Sequence, residues 1–511
     1  MTRALALVVV LFLSSIAAAQ LPPDLSIIQL PSFEYIGDSH IARGFALIRN
    51  RTGAEVRDFI VTVRMTGPPT TYIGGDGCVN TDTPYELQCA IPSIRPGQIM
   101  ALQLYIGPIH EARVFLRASV IWNGPVSPEV FRTVSFPRDF VVTNTGDEGP
   151  GTLRDAIERV NHDCLEYGLP CRIAFHIGQP VPANGWYTIY PNTPLPGILS
   201  PDVEIDGATQ TQFGGNTNVL GPEIMLNGSA LGIGHGLVLT GRGFASVTNL
   251  AIGGFPWDGI AVLREGFSGS TIANNYIGID AGAQPLPNRS RGITFNRPAS
   301  SFEVRRNRIS SNVRAGVFIA GGYNVLLSEN TISANSAGVF LGPDSHEVTV
   351  EGNYIVDNAQ FGVAVAPETT AFRLVDNSIT RNGFIGIDHG LDGFSGYDGD
   401  DSVLSRAKVP PPQLLSATYD PVTDSTTITG LYPDARVQYG SWEIALYRSP
   451  VNDGQGETPF GRTTATNGMF TFTVSGDYRG QFITATGFHQ VLIEVGPYYW
   501  TSEFSEAVEV R

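Results

Sequence analysis

The sequence predicts an all-β protein built around a parallel β-helix, and three observations predict it. Asn307, Asn330, Asn353 and Asn377 recur at spacings of 23, 23 and 24 residues, each inside the pattern apolar-x-apolar-x-x-Asn-x-Ile. Apolar and polar residues alternate in short runs, as in strands with one buried face. Charged residues make up only 16% of the 511, while Gly reaches 58 and Pro 35, which suits turns and starves long amphipathic helices of Lys, Glu and Arg. Such a length exceeds what one core needs and predicts several domains.

Residues 1–19 read as a secretory signal: Arg3, an apolar run over residues 4–13, and Ala17-Ala18-Ala19 before a cut preceding Gln20. The run is too short to span a bilayer, and no later stretch approaches about 18 consecutive apolar residues, so the expectation is a secreted, extracellular chain with no transmembrane segment. Export suits the four cysteines, which fall into two local pairs, Cys78 with Cys89 and Cys164 with Cys171, read as loop-closing disulfides. Neither pair has C-x-x-C spacing, and no His or Cys cluster accompanies them as a metal site requires. The 48 acidic residues against 32 basic ones give a net charge of −16, which disfavours a nucleic-acid partner.

Residues 20–137 alternate in runs such as Gly44-Phe45-Ala46-Leu47-Ile48 and Phe59-Ile60-Val61-Thr62-Val63, the spacing of a β-sandwich. A strand ending Arg49-Asn50-Arg51-Thr52-Gly53, a Cys pair and Ile94-Arg95-Pro96-Gly97 before another strand resemble the bacterial surface repeat domain DUF11. The β-helix is placed at residues 138–402. Near its start Leu153, Ala156, Ile157 and Val160 share one helix face, predicting a single short helix that covers the open end of a strand stack.

From about Ser246 the repeat dominates. A second Asn follows the ladder Asn by five positions, at Asn312, Asn335, Asn358 and Asn382, and Gly316, Gly338, Gly362 and Gly386 open the next apolar runs. A repeat of this length is too short for a propeller blade or a helix pair. Three strands per turn, rising one strand spacing of about 4.8 Å, would stack equivalent residues directly. Stacked amides can donate to one neighbour and accept from the other at a bend, and the Gly column suits positive φ or close packing.

Several segments resemble the right-handed parallel β-helix proteins of exported bacterial surfaces, a group associated with carbohydrate binding and sugar hydrolysis. They are Thr143-Asn144-Thr145 with Gly151-Thr152-Leu153-Arg154-Asp155-Ala156-Ile157, then Val203-Glu204-Ile205-Asp206-Gly207-Ala208-Thr209-Gln210, and Asn275-Tyr276-Ile277-Gly278-Ile279-Asp280 through Asn288. The resemblance implies an N-terminal cap, an early coil and a mid-helix insertion respectively. Past Pro410, Asp453-Gly454-Gln455-Gly456-Glu457 and Thr501-Ser502-Glu503-Phe504-Ser505 resemble the Ig-like sandwich that follows such helices, which implies a fourth segment at residues 408–511. The implied whole is a right-handed parallel β-helix flanked by two β-sandwiches, a fold that does not select among lyases, hydrolases, epimerases and adhesins.

The densest acidic stretch supplies the candidate chemistry. Asp388, His389 and Asp392 are the catalytic candidates, since carboxylates this close can split into an acid and a base. Asp398, Asp400 and Asp401 are the metal candidates, with Ca²⁺ the ion they could hold; no cofactor is required. The competing account is a solvated linker of Asp-Gly turns. Gly234-His235-Gly236 resembles the Gly-His-Gly of inverting polygalacturonases, but the rest of that motif set is missing, and a plain coil strand is favoured. Phe318 and Phe340 occupy outward positions of adjacent turns and are the carbohydrate-binding candidates, against mutual packing or cover by a loop. Arg305, Arg306 and Arg308 form a basic spot that could meet an acidic sugar or simply edge a solvated face. The favoured function is a surface protein that binds an extracellular polysaccharide or other surface component, or acts as a rigid scaffold. The alternative is a polysaccharide lyase, glycoside hydrolase or epimerase acting on an acidic polysaccharide; whether the chain is an enzyme stays open.

Overall fold

The computed structural model describes residues 25–29, 34–35, 42–50, 55–66, 72–75, 78–80, 86–95, 98–107, 115–121, 133–134, 138–164, 171–178, 180–263, 269–296, 300–391, 410–432, 442–493 and 496–511. The expected signal segment, Asp392, Asp398, Asp400 and Asp401 lie outside them. The chain divides into two compact units, Met1–Phe140 with Tyr167–Arg172, and Val141–Glu166 with Ile173–Arg511.

In the first unit the described strands form two antiparallel sheets. One runs Leu25–Gln29, Ala42–Asn50, Ile99–Gly107, Tyr72–Gly75, with Glu34–Tyr35 beside Ala42–Asn50. The other runs Thr133–Val134, Phe115–Ile121, Val56–Thr66, Glu86–Ile94, Cys78–Asn80. Cys78 and Cys89 are disulfide-bonded across directly opposed positions. Among the described cysteines none is free.

The second unit contains the coil. Its three sheets hold nine, eight and seven described strands, each strand paired with its counterpart one turn away. The first sheet runs from Arg138–Val142 to Thr370–Val375, the second from Tyr187–Ile189 to Ser378–Thr380, and the third from Leu237–Leu239 to Ile387–His389. Register follows the sequence repeat: Phe302 pairs with Val325, Val325 with Val348 and Val348 with Phe372, all parallel and all buried.

Two amide columns hold the corners. Between the first and second sheets, Asn275, Asn307, Asn330 and Asn353 each donate Nδ2 to the Oδ1 of the next rung, at 3.0, 3.0, 2.9 and 3.0 Å, ending on Asn377. The backbone N–H of each rung donates to the same oxygen, and Nδ2 also bonds a carbonyl of the preceding turn, as Asn330 does to Val304 at 2.7 Å. Where Leu250 replaces the ladder Asn, its N–H still donates to Asn275 Oδ1. Between the second and third sheets Asn288, Asn312, Asn335, Asn358 and Asn382 form a second column of the same kind. Every rung is at most 5% exposed, so each amide's capacity must be met within the protein.

The bends themselves fall to other residues. Arg306, Glu329 and Asp376, immediately before ladder rungs, have φ of 54°, 55° and 52°, and Ser311, Ala334, Asp357 and Arg381 do the same before the second column. Left-handed backbone costs a non-Gly residue about 1–2 kcal/mol, which the paired amides on the next residue offset. The Gly column serves close packing instead of positive φ: a Cβ on Gly338 would lie 2.5 Å from the Gly362 carbonyl oxygen and 2.5 Å from Ile355 Cγ2.

The predicted helix is Leu153–Arg159, with Leu153, Ala156 and Ile157 buried. Thr152 caps it by accepting from the Asp155 N–H at 3.2 Å, while Asp155 accepts from Gly151 N–H at 3.0 Å, a reciprocal cap. A second helix, Ala208–Gly214, was not expected; Thr209 and Gln210 on it accept hydrogen bonds from the backbone N–H groups of Phe175 and Ile177.

The C-terminal strands make two antiparallel sheets around one core that includes Ile428, Ile444, Leu446, Phe470 and Ala485. The two motifs singled out in this region close the end of the coil. Gln455 Oε1 accepts from Asn382 Nδ2 at 2.9 Å and its Nε2 donates to the Asn382 carbonyl, adding a further rung to the second column. Ile379 N–H donates to the Gly456 carbonyl at 2.7 Å, Leu374 N–H to Thr501 Oγ1, and His389 N–H to Glu503 Oε1 at 2.8 Å. The last coil thus ends on hydrogen-bonding partners and not as an open sheet edge.

Two outcomes follow. Asn330→Ala strands donors and acceptors on both neighbouring rungs and should lower stability by about 2–4 kcal/mol in urea titration, against about 0.5 kcal/mol or less for the exposed Gln360→Ala. Gln455→Ala should raise amide exchange around residues 379–389 about tenfold while residues 307–335 stay protected.

Candidate functional site

The positions just before the Gly column line one corner of the coil, where the second sheet gives way to the third. His235, Asp258 and Arg291 occupy this place in successive turns, keyed by Gly236 N–H to the Asp258 carbonyl and Gly259 N–H to the Arg291 carbonyl, both at 3.0 Å. One position earlier come Trp257, Ser290 and Arg314, likewise linked backbone to backbone. Residues distant in sequence therefore meet because each sits at the same phase of the repeat.

His235 Nδ1 lies 3.4 Å from Asp258 Oδ2 and accepts the Asp258 backbone N–H at 3.2 Å. Asp258 Oδ1 accepts the Arg291 N–H at 2.9 Å. Burial acts to raise the Asp258 carboxyl, but hydrogen bonds from His235, the Ser290 side chain and the Arg291 backbone outweigh it and hold the group below the ordinary aspartate range. The Trp257 ring meets His235 edge-on at 4.9 Å between centroids and is 47% exposed. Burial lowers the Arg291 pKa, Asp258 opposes that shift, and the like charge of Arg314 adds to it. The Arg291 guanidinium lies 3.8 Å from the Phe318 ring centroid.

Phe318 and Phe340 pair in register on the outward side of the third sheet, half-buried, with centroids 5.4 Å apart and planes tilted by 40°. Arg291 takes one face of Phe318, so the carbohydrate-binding candidates include one ring already engaged by a cation. Farther along the corner Phe361 and Phe384 stack at 5.8 Å, and Phe384 is 67% exposed. Aromatic rings and guanidinium groups thus follow one side of the coil from Trp257 to Phe384.

The catalytic candidates are placed elsewhere. Asp388 holds an outward strand position yet is 0% exposed, and His389 is 1% exposed, its N–H bound to Glu503 and its ring edge-on to Phe372 at 5.2 Å. The expectation was of an accessible acid and base there; both side chains are buried instead, and the C-terminal segment supplies the acceptor for the His389 N–H. Asp392, Asp398, Asp400 and Asp401 lie outside the described residues; among those described, no group of three or more His, Cys, Asp and Glu could hold a metal ion. The basic spot is engaged locally, Arg305 with Glu303, Arg306 with Glu329, and Arg308 over Tyr276, as a solvated edge would be. Sequence reading weighed His235 alone and missed Trp257, Asp258, Arg291 and Arg314. Aligning the repeats on the residue before each Gly would have brought them together.

Among the family descriptions, "Right handed beta helix region" matches residues 235–395. The coil is a right-handed β-helix. No curated protein matches the sequence. Among solved structures, the chain is similar to the A-module of the mannuronan C-5 epimerase AlgE4 of Azotobacter vinelandii, with 12% identity, 48% of this chain and 95% of that chain covered, and a TM-score of 0.22. It is also similar to the tailspike protein gp49 of Acinetobacter baumannii bacteriophage Fri1, a capsular polysaccharide depolymerase, with 8% identity, coverage of 78% and 92%, and a TM-score of 0.22. The enzymatically active domain of tailspike protein 2 of bacteriophage CBA120 matches with 9% identity, coverage of 76% and 83%, and a TM-score of 0.20. Among the described residues, no helix of the β-helix unit or elsewhere is long and apolar enough to cross a membrane.

The Asp258 environment sets an acid-sensitivity. Its folded pKa lies below the unfolded value of about 3.9, so its contribution is fully present above that value and is lost as pH falls through the folded pKa. Asp258→Asn should lower stability by roughly 1–2 kcal/mol at neutral pH, and its Tm deficit against the parent should shrink as pH drops from about 5 to 3.

Proposed function

We propose that this chain is an extracellular carbohydrate-binding protein that lays an acidic polysaccharide along the third sheet of its β-helix. The observation that carries the reading is the placing of Arg291 and Arg314 on successive turns of one corner, keyed by Arg314 N–H to the Ser290 carbonyl at 2.7 Å, within a line of aromatic rings. Two guanidinium groups on neighbouring turns suit an anion between them, and a uronate carboxylate would supply it. Trp257 and Phe340 supply apolar surfaces on which sugar rings can stack. Successive turns rise by about 4.8 Å, so the line is suited to an extended chain parallel to the coil axis.

Turnover is the second reading, favoured by the nearness of His235 and Asp258. His235 Nδ1 faces both the Asp258 backbone N–H, at 3.2 Å, and the Asp258 carboxylate, at 3.4 Å, so the ring is tied to the coil through that nitrogen and Nε2 is left for a bound sugar oxygen. An imidazole held in this way orients a sugar hydroxyl without a second acid or base, and binding is the preferred reading.

Affinity electrophoresis of the mature protein in gels containing polygalacturonate, alginate or a neutral glucan tests this. Retardation should be confined to the uronate gels and should weaken with salt; Arg314→Ala and Phe340→Ala should each reduce it about tenfold. Equal retardation by the neutral glucan, or no change in either variant, overturns the reading. Release of unsaturated or reducing ends that is lost in His235→Ala would favour turnover.

A further inference from the structure

A cleft of about 600 Å³ lies near the N-terminal end of the β-helix and shares no lining residue with the candidate site described above. One wall is the segment Thr143 to Thr145, held where the N–H groups of Thr143 and Asn144 donate to the Gly151 carbonyl. Pro180, Pro182 and Asn184 also line the cleft, in a loop fixed by Gly185 N–H to the Pro182 carbonyl and by Thr217 Oγ1 to the Gly185 carbonyl. Trp186 and Tyr190 border the space. Trp186 is held by packing on Met225, Ala251 and Ala281, whereas Tyr190 is 50% exposed. Tyr187, 5% exposed, donates its hydroxyl to the Gly178 carbonyl at 3.1 Å; burial, and then the Glu223 charge, raise its pKa and keep the phenol neutral.

Among the described residues the lining contains no Asp, Glu, Lys, Arg or His. An ionised ligand would give up hydration there without gaining a counter-charge. Hydroxyl and amide groups set beside aromatic rings match a different chemistry, the alternating O–H and C–H surface of a pyranose. The volume is within the range of about 300–1,000 Å³ common for small-ligand sites, and two prolines and the backbone bonds preorganise the walls. We infer that this cleft is a second carbohydrate site, selective for a neutral saccharide of a few residues and independent of the acidic-glycan surface on the third sheet.

The test is calorimetric or ligand-observed NMR titration of the full chain with neutral gluco-, manno- and galacto-trisaccharides and with trigalacturonate. At least one neutral trisaccharide should bind, and Tyr190→Ala and Asn184→Ala should each weaken it about tenfold or more, while Phe340→Ala and Arg314→Ala leave it unchanged. Thermal melts identify any variant that has lost its fold, and Tyr190→Phe should retain most of the affinity because it keeps the ring. Failure of all three neutral sugars to bind overturns the inference. So does neutral-sugar binding that Tyr190→Ala leaves intact, or a Tyr190→Ala loss confined to trigalacturonate. Because acidic-glycan binding is read through Phe340 and Arg314, the two sites can fail separately.

Discussion

Buried side-chain amides that must each be satisfied by the turns above and below are the constraint on which the rest of this structure depends. A buried amide left unpaired costs about 1–3 kcal/mol, and each column holds five of them in series. A column cannot simply stop. At one end the backbone N–H groups of Leu250 and Phe255 donate to the first rungs, Asn275 and Asn288. At the other end Gln455 serves Asn382, from a segment 73 residues away. That need explains why the C-terminal strands and the coil form one compact unit: the coil requires a partner that offers both an acceptor and a donor at its final corner.

The same constraint allocates the rest of the chain. Inward strand positions go to aliphatic packing, the Gly column to the close approach of successive turns, and the residues before the rungs to left-handed backbone. What remains free to vary is the outward face and the position before each Gly, and the chain places Trp257, Asp258, Arg291, Arg314, Phe318 and Phe340 there. Register turns residues 23 or 33 positions apart into neighbours, as with His235 and Asp258 or Asp258 and Arg291. A recognition surface on such a coil is written one residue per turn.

The architecture was largely legible beforehand. Four ladder Asn and four partners five positions on were identifiable from spacing, and so was the capping helix from Leu153, Ala156, Ile157 and Val160. Asn288 escaped because an insertion precedes it and breaks the count, yet it takes the first rung of the second column. The helix Ala208–Gly214 escaped because its seven residues carry too little periodicity to separate from a turn. The site was far less legible: density of acidic residues drew attention to Asp388 and His389, and local density does not report burial.

By itself the sequence determined the coil, its period, its amide corners and the sequence-local cysteine pairs, because each is a local pattern whose repetition leaves one cheap way to bury its groups. Only the tertiary structure decided which outward residues meet, that His389 lies beneath Glu503, and that Gln455 ends a column of asparagines. Those contacts join segments separated by as many as 114 residues, and no periodicity encodes them. They follow from how the end of the stack satisfies its hydrogen bonds against loops of the C-terminal strands in the same compact unit.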